Sequence, residues 1–410
     1  MDFAPSAQAA DLTERVRAFL TEEIEPVEAD YHRDLAEARR TGDPWTPLPV
    51  VDELKAAARE RGLWNLFLPA DHPYGGYTGL SNVDYAPIAE LTGRSTLAPL
   101  VMNCNAPDTG NMEVLLKYGT EAQQREWLDP LLAGEIRSGF AMTEPDVASS
   151  DATTMAATAV VDGDEVVVNG RKWWTTGIGH RDCKILIFMG LTDPDADRHH
   201  RHSMVLVPVD TPGVKVERML STMGFHDEPL GHGEVSFTDV RVPLANVIGG
   251  PGQAFAIAQG RLGPGRVHHC MRLIGLAEVA LELACRRALE RTAFGKPIAN
   301  LGGNRERIAE ARIAIDSVRL LVLNAAWKLD TGGPLNALSE VSQIKVAAPA
   351  MAQQVVDMAM QLHGGGGLSD DHPLAGMWTT ARALRLADGP DEVHRGLVAR
   401  LELGKYGSGR

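Results

Sequence analysis

The sequence predicts a mainly α protein with a central β domain, and three observations predict it. Apolar residues recur at steps of three and four toward both ends of the chain, they gather into short β-rich runs between, and glycine-bearing turn dipeptides separate those runs. The expectation is an N-terminal helical domain over 1–136, an antiparallel middle β domain over 137–246 and a C-terminal four-helix bundle over 247–410. At 410 residues there is enough chain for two or three domains. A chain of this size buries about three quarters of its unfolded surface, so it needs neither disulfides nor metal to hold a core.

In the first segment Leu12, Val16 and Phe19 line one helical face before Pro26, and Val51, Leu54 and Ala58 begin another that ends at Gly62. Tyr74-Gly75-Gly76-Tyr77 reads as a loop, and Val83 to Leu91 returns to helical spacing. In the second, Thr158–Val161, Val166–Val168 and Lys172–Thr175 are separated by Asp162-Gly163 and Asn169-Gly170. Both dipeptides tolerate the positive φ of tight hairpins, which predicts a three-strand meander. Ile185–Met189, Met204–Val207, Val214–Val216 and Val235–Phe237 supply further strands. The third segment carries four apolar stripes. Ile308, Ala311, Ile315, Val318, Val322, Ala325 and Leu329 form one, and Val341, Ile344, Ala348, Met351, Val355, Met358 and Leu362 another. Leu273, Leu276, Ala280 and Leu283 form a third, and Val393, Leu397 and Leu401 a shorter fourth. Stripes of this kind are core packing, and so many of them predict several helix–helix interfaces.

Lys and Arg number 40 against 54 Asp and Glu, a net charge of −14. That excludes a broad nucleic-acid or anionic-membrane surface, which needs excess cations, but leaves room for an anionic small ligand in a local pocket. Cys104, Cys183, Cys270 and Cys285 lack metal spacing, which suits a reducing compartment and predicts no metal. Met1 to Asp11 has no signal-peptide pattern, and the longest apolar runs fall far short of a membrane span. The expected location is cytoplasmic. There is no G-x-G-x-x-G, no P-loop and no G-x-S-x-G elbow.

Several motifs carry possible chemistry. Gly364-Gly365-Gly366-Gly367 is either a helix stop or a place where backbone N–H groups approach a phosphate, with Gln361 as a side-chain donor. His199, His200 and His202 crowd one segment, but the flanking Pro, Asp and Arg read as a solvated loop. His268, His269 and Cys270 sit at a helix start with no carboxylate nearby in sequence, which favours a structural role. Trp173 and Trp174 are adjacent on a strand and so face opposite ways. Either one indole stands against a flat heterocycle, or the strand is buried on both faces. Phe140-Ala141-Met142-Thr143-Glu144-Pro145 is followed by Ser149, Ser150 and Asp151, a hydroxyl-rich turn able to meet a phosphate or a flavin edge. Pro390 reads as the first residue of the terminal helix, with Asp388 and Gly389 as the turn before it. Asp388 is then either a helix cap or a base on a tight turn.

These zones and motifs, in this order, resemble the acyl-CoA dehydrogenase family, and within it the dehydrogenase module of family members ten and eleven. The carriers are Thr-Glu-Pro-Asp-Val-Ala-Ser-Ser-Asp (143–151), Gly-Arg-Leu-Gly-Pro-Gly-Arg-Val-His-His-Cys-Met-Arg (260–272) and Leu-Ala-Asp-Gly-Pro-Asp-Glu-Val-His (386–394). The resemblance implies FAD and the oxidation of a fatty acyl-CoA to its trans-2-enoyl thioester, as in fatty acid β-oxidation, with electrons leaving to an electron-transfer flavoprotein. It implies flavin contacts at Met142, Thr143, Ser149, Trp174, Thr176 and Glu392, and contacts to the FAD of a neighbouring subunit at Arg291, Gln361, Gly364 and Gly365. A homodimer or dimer of dimers follows from that sharing. Substrate contacts fall at Ser150, Arg266 and Gly389; either serine of the pair suits the cofactor, because the turn is one residue longer than the common family form. The common base is a Glu at the position of Asp388, and the alternative position matches Gly265, so Asp388 is the base the resemblance implies. Burial beside an acyl chain is expected to raise its pKa. The same fold hosts oxidases acting on acyl-CoA or nitroalkanes, and a non-catalytic flavin-binding scaffold is the other class to separate.

Overall fold

Each stripe of the N-terminal segment folds as a helix, and polar caps decide where it begins. The structure, a computed structural model, describes residues 2–72, 74–77 and 79–407, with the side chains of Leu262 and Pro264 left aside. Ser6 accepts the Ala9 N–H and starts α1 (Ala7–Phe19), which buries Leu12, Val16 and Phe19 as their spacing predicts. α2 (Glu25–Thr41) stops at Gly42, and α3 (Pro49–Glu60) buries Val51, Leu54 and Ala58. The Tyr77 N–H closes the expected loop onto the Tyr74 carbonyl. α4 (Asn82–Thr92), capped by Ser81, precedes α5 (Leu97–Val101), α6 (Asp108–Tyr118) and the short α7 (Glu121–Gln123) and α8 (Asp129–Ala133).

The strands are β1 (Arg137–Ala141), β2 (Thr158–Asp162), β3 (Glu165–Thr176), β4 (Cys183–Leu191), β5 (His202–Pro208), β6 (Val214–Leu220) and β7 (His232–Pro243). They make one sheet in the order β1-β4-β2-β3-β7-β6, with β5 added to β4. The sheet is mainly antiparallel, as expected. β1 nevertheless runs parallel to β4, and β2 touches β4 in parallel at Thr158 and Leu191. Phe188 and Phe237 meet edge to face in its core, with ring centroids 4.8 Å apart. The predicted three-strand meander is a two-strand hairpin. Asp162-Gly163 turns the chain, whereas Asn169-Gly170 lies inside β3 as a bulge, with Gly170 at φ +141 and a register shift against β7. β7 is long enough to pair on both sides of that bulge, which keeps β3 whole.

The remaining elements are α9 (Ala254–Glu290), the paired β8 (Thr292–Ala293) and β9 (Lys296–Pro297), α10 (Asn304–Asn336), α11 (Leu338–His363), α12 (Leu374–Ala383) and α13 (Asp391–Gly404). The stripes of α10 and α11 are buried almost throughout. The shorter terminal stripe is not: Val393 is exposed, and the buried residues of α13 are Asp391 and His394.

By its internal contacts the chain forms two units. One consists of Met1–Thr21, Ser81–Ala98 and Arg266–Arg410, the other of Glu22–Leu80 and Pro99–Gly265. Divisions fall inside helices, within α5 and within α9. In the first unit, the bundle unit, α11 packs on α10, α12 and α13, and α4 packs on α1 and α10. Here α4 and α9 touch backbone to backbone: a Cβ on Gly93 would lie 2.0 Å from the Arg272 carbonyl oxygen, and one on Gly275 1.9 Å from that of Glu90. Only glycine permits such a crossing. The second, the sheet unit, holds the whole seven-stranded sheet with α2, α3, the end of α5 and α6 to α8.

Candidate active site

In the sheet unit the hydroxyl-rich turn is tied down by one buried ammonium. Lys172 Nζ donates to Glu144 Oε1 at 2.7 Å and to the Met142 and Met189 carbonyls at 2.8 and 2.7 Å. Glu144 in turn accepts the Ala156 and Ala157 N–H groups at 2.9 and 3.1 Å. Burial pulls the Lys172 pKa down to about 8, with Glu144 opposing it. The exit of β1, the far end of the turn and β4 are thereby joined at one point. The Trp173 N–H donates to the Thr143 carbonyl at 2.9 Å, which leaves Met142 and Thr143 half-buried at the rim. The Ser149 hydroxyl accepts the Glu144 N–H at 2.8 Å and so shapes the turn, whereas Ser150 is exposed.

Strand alternation does not decide where the two tryptophans point. β3 slips register between Lys172 and Thr175, and Trp174 adopts φ +51, a left-handed conformation that is strained for a bulky residue. Its indole is 39% exposed and faces His232, 5.5 Å between centroids. His232 Nδ1 lies 2.9 Å from Thr176 Oγ1, and burial holds this imidazole below its ordinary pKa. Trp174 and Thr176 therefore share one rim, and His232, which carries no sequence signal, joins them. The strand is not buried on both faces.

In the bundle unit the second set gathers around Asp388. This residue sits at φ +56, followed by Gly389 at φ +102. The Asp388 carbonyl accepts Arg266 Nε at 3.0 Å and His394 Nε2 at 3.2 Å. Lys345, buried on α11, donates to the Leu384 carbonyl at 2.5 Å and to that of Gly389 at 3.4 Å. Side chains from three helices thus grip the backbone of one turn. Burial, aided by the charges of Arg266 and Lys345, holds the His394 pKa down to about 4. Pro390 is the N-cap of α13 and not its first residue, and no side chain caps that helix, so Asp388 does not serve as its cap. Its carboxylate is 21% exposed, with Oδ2 3.7 Å from His269 Nε2. Glu392, on the first turn of α13, is exposed. The neighbouring Cys270 is an inert thiol, pushed up to about 12 by burial.

A third set lines a cleft of about 730 Å³ in the same unit. Arg291, Gln361, Gly364 and Gly365 all border it, joined by Arg287, Arg307 and His363. The glycine run is a 3₁₀ turn ending α11, with Gly364 at φ +63. Arg287 Nε is buried without a hydrogen-bond partner among the described residues, so the cleft carries three guanidiniums, one with a donor to spare. Arg287 lies one helical turn before Arg291, the spacing that would have revealed it.

His268 to Cys270 do not sit at a helix start, as expected from sequence. α9 begins at Ala254 and runs through Gly260, Gly263 and Gly265, so His268 to Cys270 lie mid-helix, one turn beyond Arg266 and against the Asp388 loop. A Cβ on Gly265 would meet nothing within 4 Å. His199 and His200 are exposed, while His202 is buried, its Nε2 2.9 Å from the Met155 carbonyl. Among the described residues no group of three His, Cys, Asp or Glu is arranged to hold a metal, and no helix is long and apolar enough to cross a membrane.

Three family models match the chain: the acyl-CoA dehydrogenase N-terminal domain over 6–135, middle domain over 139–240 and C-terminal domain over 252–403. FadE2, a probable acyl-CoA dehydrogenase of Mycobacterium tuberculosis, is 51% identical over 99% of this chain and 98% of its own length. Mouse acyl-CoA dehydrogenase family member 10 is 51% identical over 96% of this chain, which spans only 36% of that relative. A solved structure assigned as an acyl-CoA dehydrogenase of Mycobacterium abscessus is 68% identical, with a TM-score of 0.95 over 98% of this chain and 100% of the other.

Proposed function

This chain belongs to the acyl-CoA dehydrogenase family and is an oxidoreductase, and on that premise we propose that it is a flavoprotein oxidising a fatty acyl-CoA to the trans-2-enoyl thioester. The observation that carries this reading is the Asp388 turn, a partly exposed carboxylate on a backbone gripped by Arg266, Lys345 and His394. Asp388 takes the α-proton. A fixed backbone matters because a base acts only within hydrogen-bond reach of the proton it removes. Arg266, Gly389 and Ser150 face the substrate.

FAD fits the residues present: an exposed indole beside a hydroxyl suits an isoalloxazine, and an orphaned guanidinium N–H in an arginine-lined cleft suits a pyrophosphate. Met142, Thr143, Ser149, Trp174, Thr176 and Glu392 would hold the chain's own cofactor. Arg291, Gln361, Gly364 and Gly365, with Arg287 and Arg307, would hold that of a neighbouring subunit. When bound, FAD supplies at its N5 the acceptor for the β-hydride. An electron-transfer flavoprotein then receives the electrons, and the setting is fatty acid β-oxidation. A homodimer or dimer of dimers would cover the exposed Phe294, Ile313, Leu320, Leu335 and Leu368 of the bundle unit.

Anaerobic titration of the FAD-loaded protein with a panel of acyl-CoA thioesters, followed by flavin bleaching, tests the reading and finds the preferred chain. Asp388→Asn should keep its flavin and bleach about 10²–10⁴-fold more slowly. Bleaching at the parent rate would remove Asp388 as base.

A further inference from the structure

The Asp388 carboxylate does not stand alone on its side of the turn. His269 Nε2 lies 3.7 Å from Asp388 Oδ2, and His269 Nδ1 lies 3.2 Å from Arg272 Nη2, one helical turn further along α9. A guanidinium has donors only. The Nδ1 facing Arg272 must therefore present its lone pair, which places the imidazole proton on Nε2, toward Asp388. Arg272 thus selects one neutral tautomer of His269, and that tautomer turns its N–H toward the Asp388 carboxylate. The backbone contact of α4 with α9 at Gly93, beside the Arg272 carbonyl, fixes this stretch of helix.

We propose that His269 is a positioning residue for Asp388: its Nε2–H faces the carboxylate at 3.7 Å, beyond a formed hydrogen bond, and closes on it to hold one rotamer when the turn tightens around substrate, with Arg272 setting the tautomer. The inference rests on Asp388 being the base. Aspartate reaches one bond less far than glutamate, so a fixed carboxylate orientation counts for more here. The other charged or titratable groups around the turn are Arg266 and Cys270 on α9, Lys345 on α11, Arg385 after α12, and Asp391 and His394 on α13. Arg266, Lys345 and His394 bind backbone carbonyls, and Asp391 pairs with Arg385 at 2.7 Å. Their hydrogen bonds shape the turn, whereas His269 addresses the carboxylate itself.

The test is stopped-flow flavin bleaching across pH on the FAD-loaded protein, with flavin content and thermal midpoint as controls. Hydrogen bonding to the charged form lowers a carboxyl pKa, so His269→Ala should move the acid limb of the rate profile up by about 0.5–1 pH unit. It should also slow the plateau about 5–10-fold, and His269→Gln, which keeps a donor, should restore most of both. Arg272→Met should move the acid limb the opposite way, because the freed Nδ1 can take a proton and leave an imidazolium beside the carboxylate. A purely structural role predicts no such opposed shifts, and the Gln and Met variants carry the test if the Ala variant does not fold. If Asp388→Asn bleaches normally, the base assignment and this inference both fall. If Asp388→Asn is inert while His269→Ala keeps the parent rate and acid limb, only the inference about His269 is overturned.

Discussion

Replacing Lys172 with Met asks how firmly the 142–157 turn is tied. The side chain is wholly buried, and its ammonium serves Glu144 and two backbone carbonyls at 2.7–2.8 Å. Removing one partner of a buried ion pair costs about 3–5 kcal/mol, because the other charge stays behind unpaired. Here the Met142 and Met189 carbonyls also lose their donor, which puts the substitution at the upper end of that range. For a cooperative unit of this size each kcal/mol is worth about 2–4 °C, so the thermal midpoint should fall by about 10–20 °C. The turn should loosen with it, and flavin retention should fall. Circular-dichroism melts with flavin fluorescence read both effects. Combining Glu144→Gln with Lys172→Met removes both charges, and should recover about 1–3 kcal/mol relative to the sum of the single changes. Burial holds the folded lysine at about 8 against 10.5 for the free side chain, so the unfolded chain binds the extra proton between those values. Stability of the parent relative to Lys172→Met must therefore rise with pH across that window. A midpoint within about 2 °C of the parent, or additive single changes, would refute the reasoning.

His394 gives the acid-side counterpart. Its folded pKa of about 4 lies below the ordinary 6.5, so the unfolded chain binds more protons between them and stability falls as pH drops through that window. The loss is at most about 3 kcal/mol, and urea midpoints across pH should show it flattened in His394→Gln. Arg287→Ala should weaken FAD retention about 10–100-fold, read by rebinding of flavin to the stripped protein, whereas loss of a merely packing residue would leave it unchanged. Reduced enzyme should survive air for minutes and reoxidise rapidly with an electron-transfer flavoprotein. Immediate reoxidation by oxygen would make the protein an oxidase of the same fold.

The helices were legible because burial on one face writes its period into the chain: the stripe from Ile308 to Leu329 is nearly the buried face of α10. Strand pairing was less so. Nothing near β1 announces that it will lie parallel to β4, since a crossover of this kind carries no turn dipeptide. Asn169-Gly170 satisfies a hairpin and a bulge equally, and the length of β7, far along the chain, decides between them. At the site, Trp174, Thr176 and Asp388 could be named from motif order, but His232 reaches Thr176 only through the β3–β7 pairing. The neighbourhood of His269 was hidden for a related reason. The carboxylate it faces is more than a hundred residues away in sequence and comes near only when the α12–α13 connection folds onto α9. On α13 the period misled in the other direction, because Val393 is exposed and Leu397 and Leu401 are only half-buried, while Asp391 and His394 are buried.

The left-handed backbone at Asp388 has a consequence for anyone wishing to redesign this enzyme. Aspartate, asparagine and glycine enter that region at low cost, while glutamate does so reluctantly. The residue at the position proposed for the base is thus restricted by torsion before chemistry is consulted. A designer who installs glutamate to gain reach must first straighten the loop, and a designer who straightens it gives up the carbonyl that Arg266 and His394 hold. Residue and loop can only be exchanged together, as a cassette spanning Leu384 to His394.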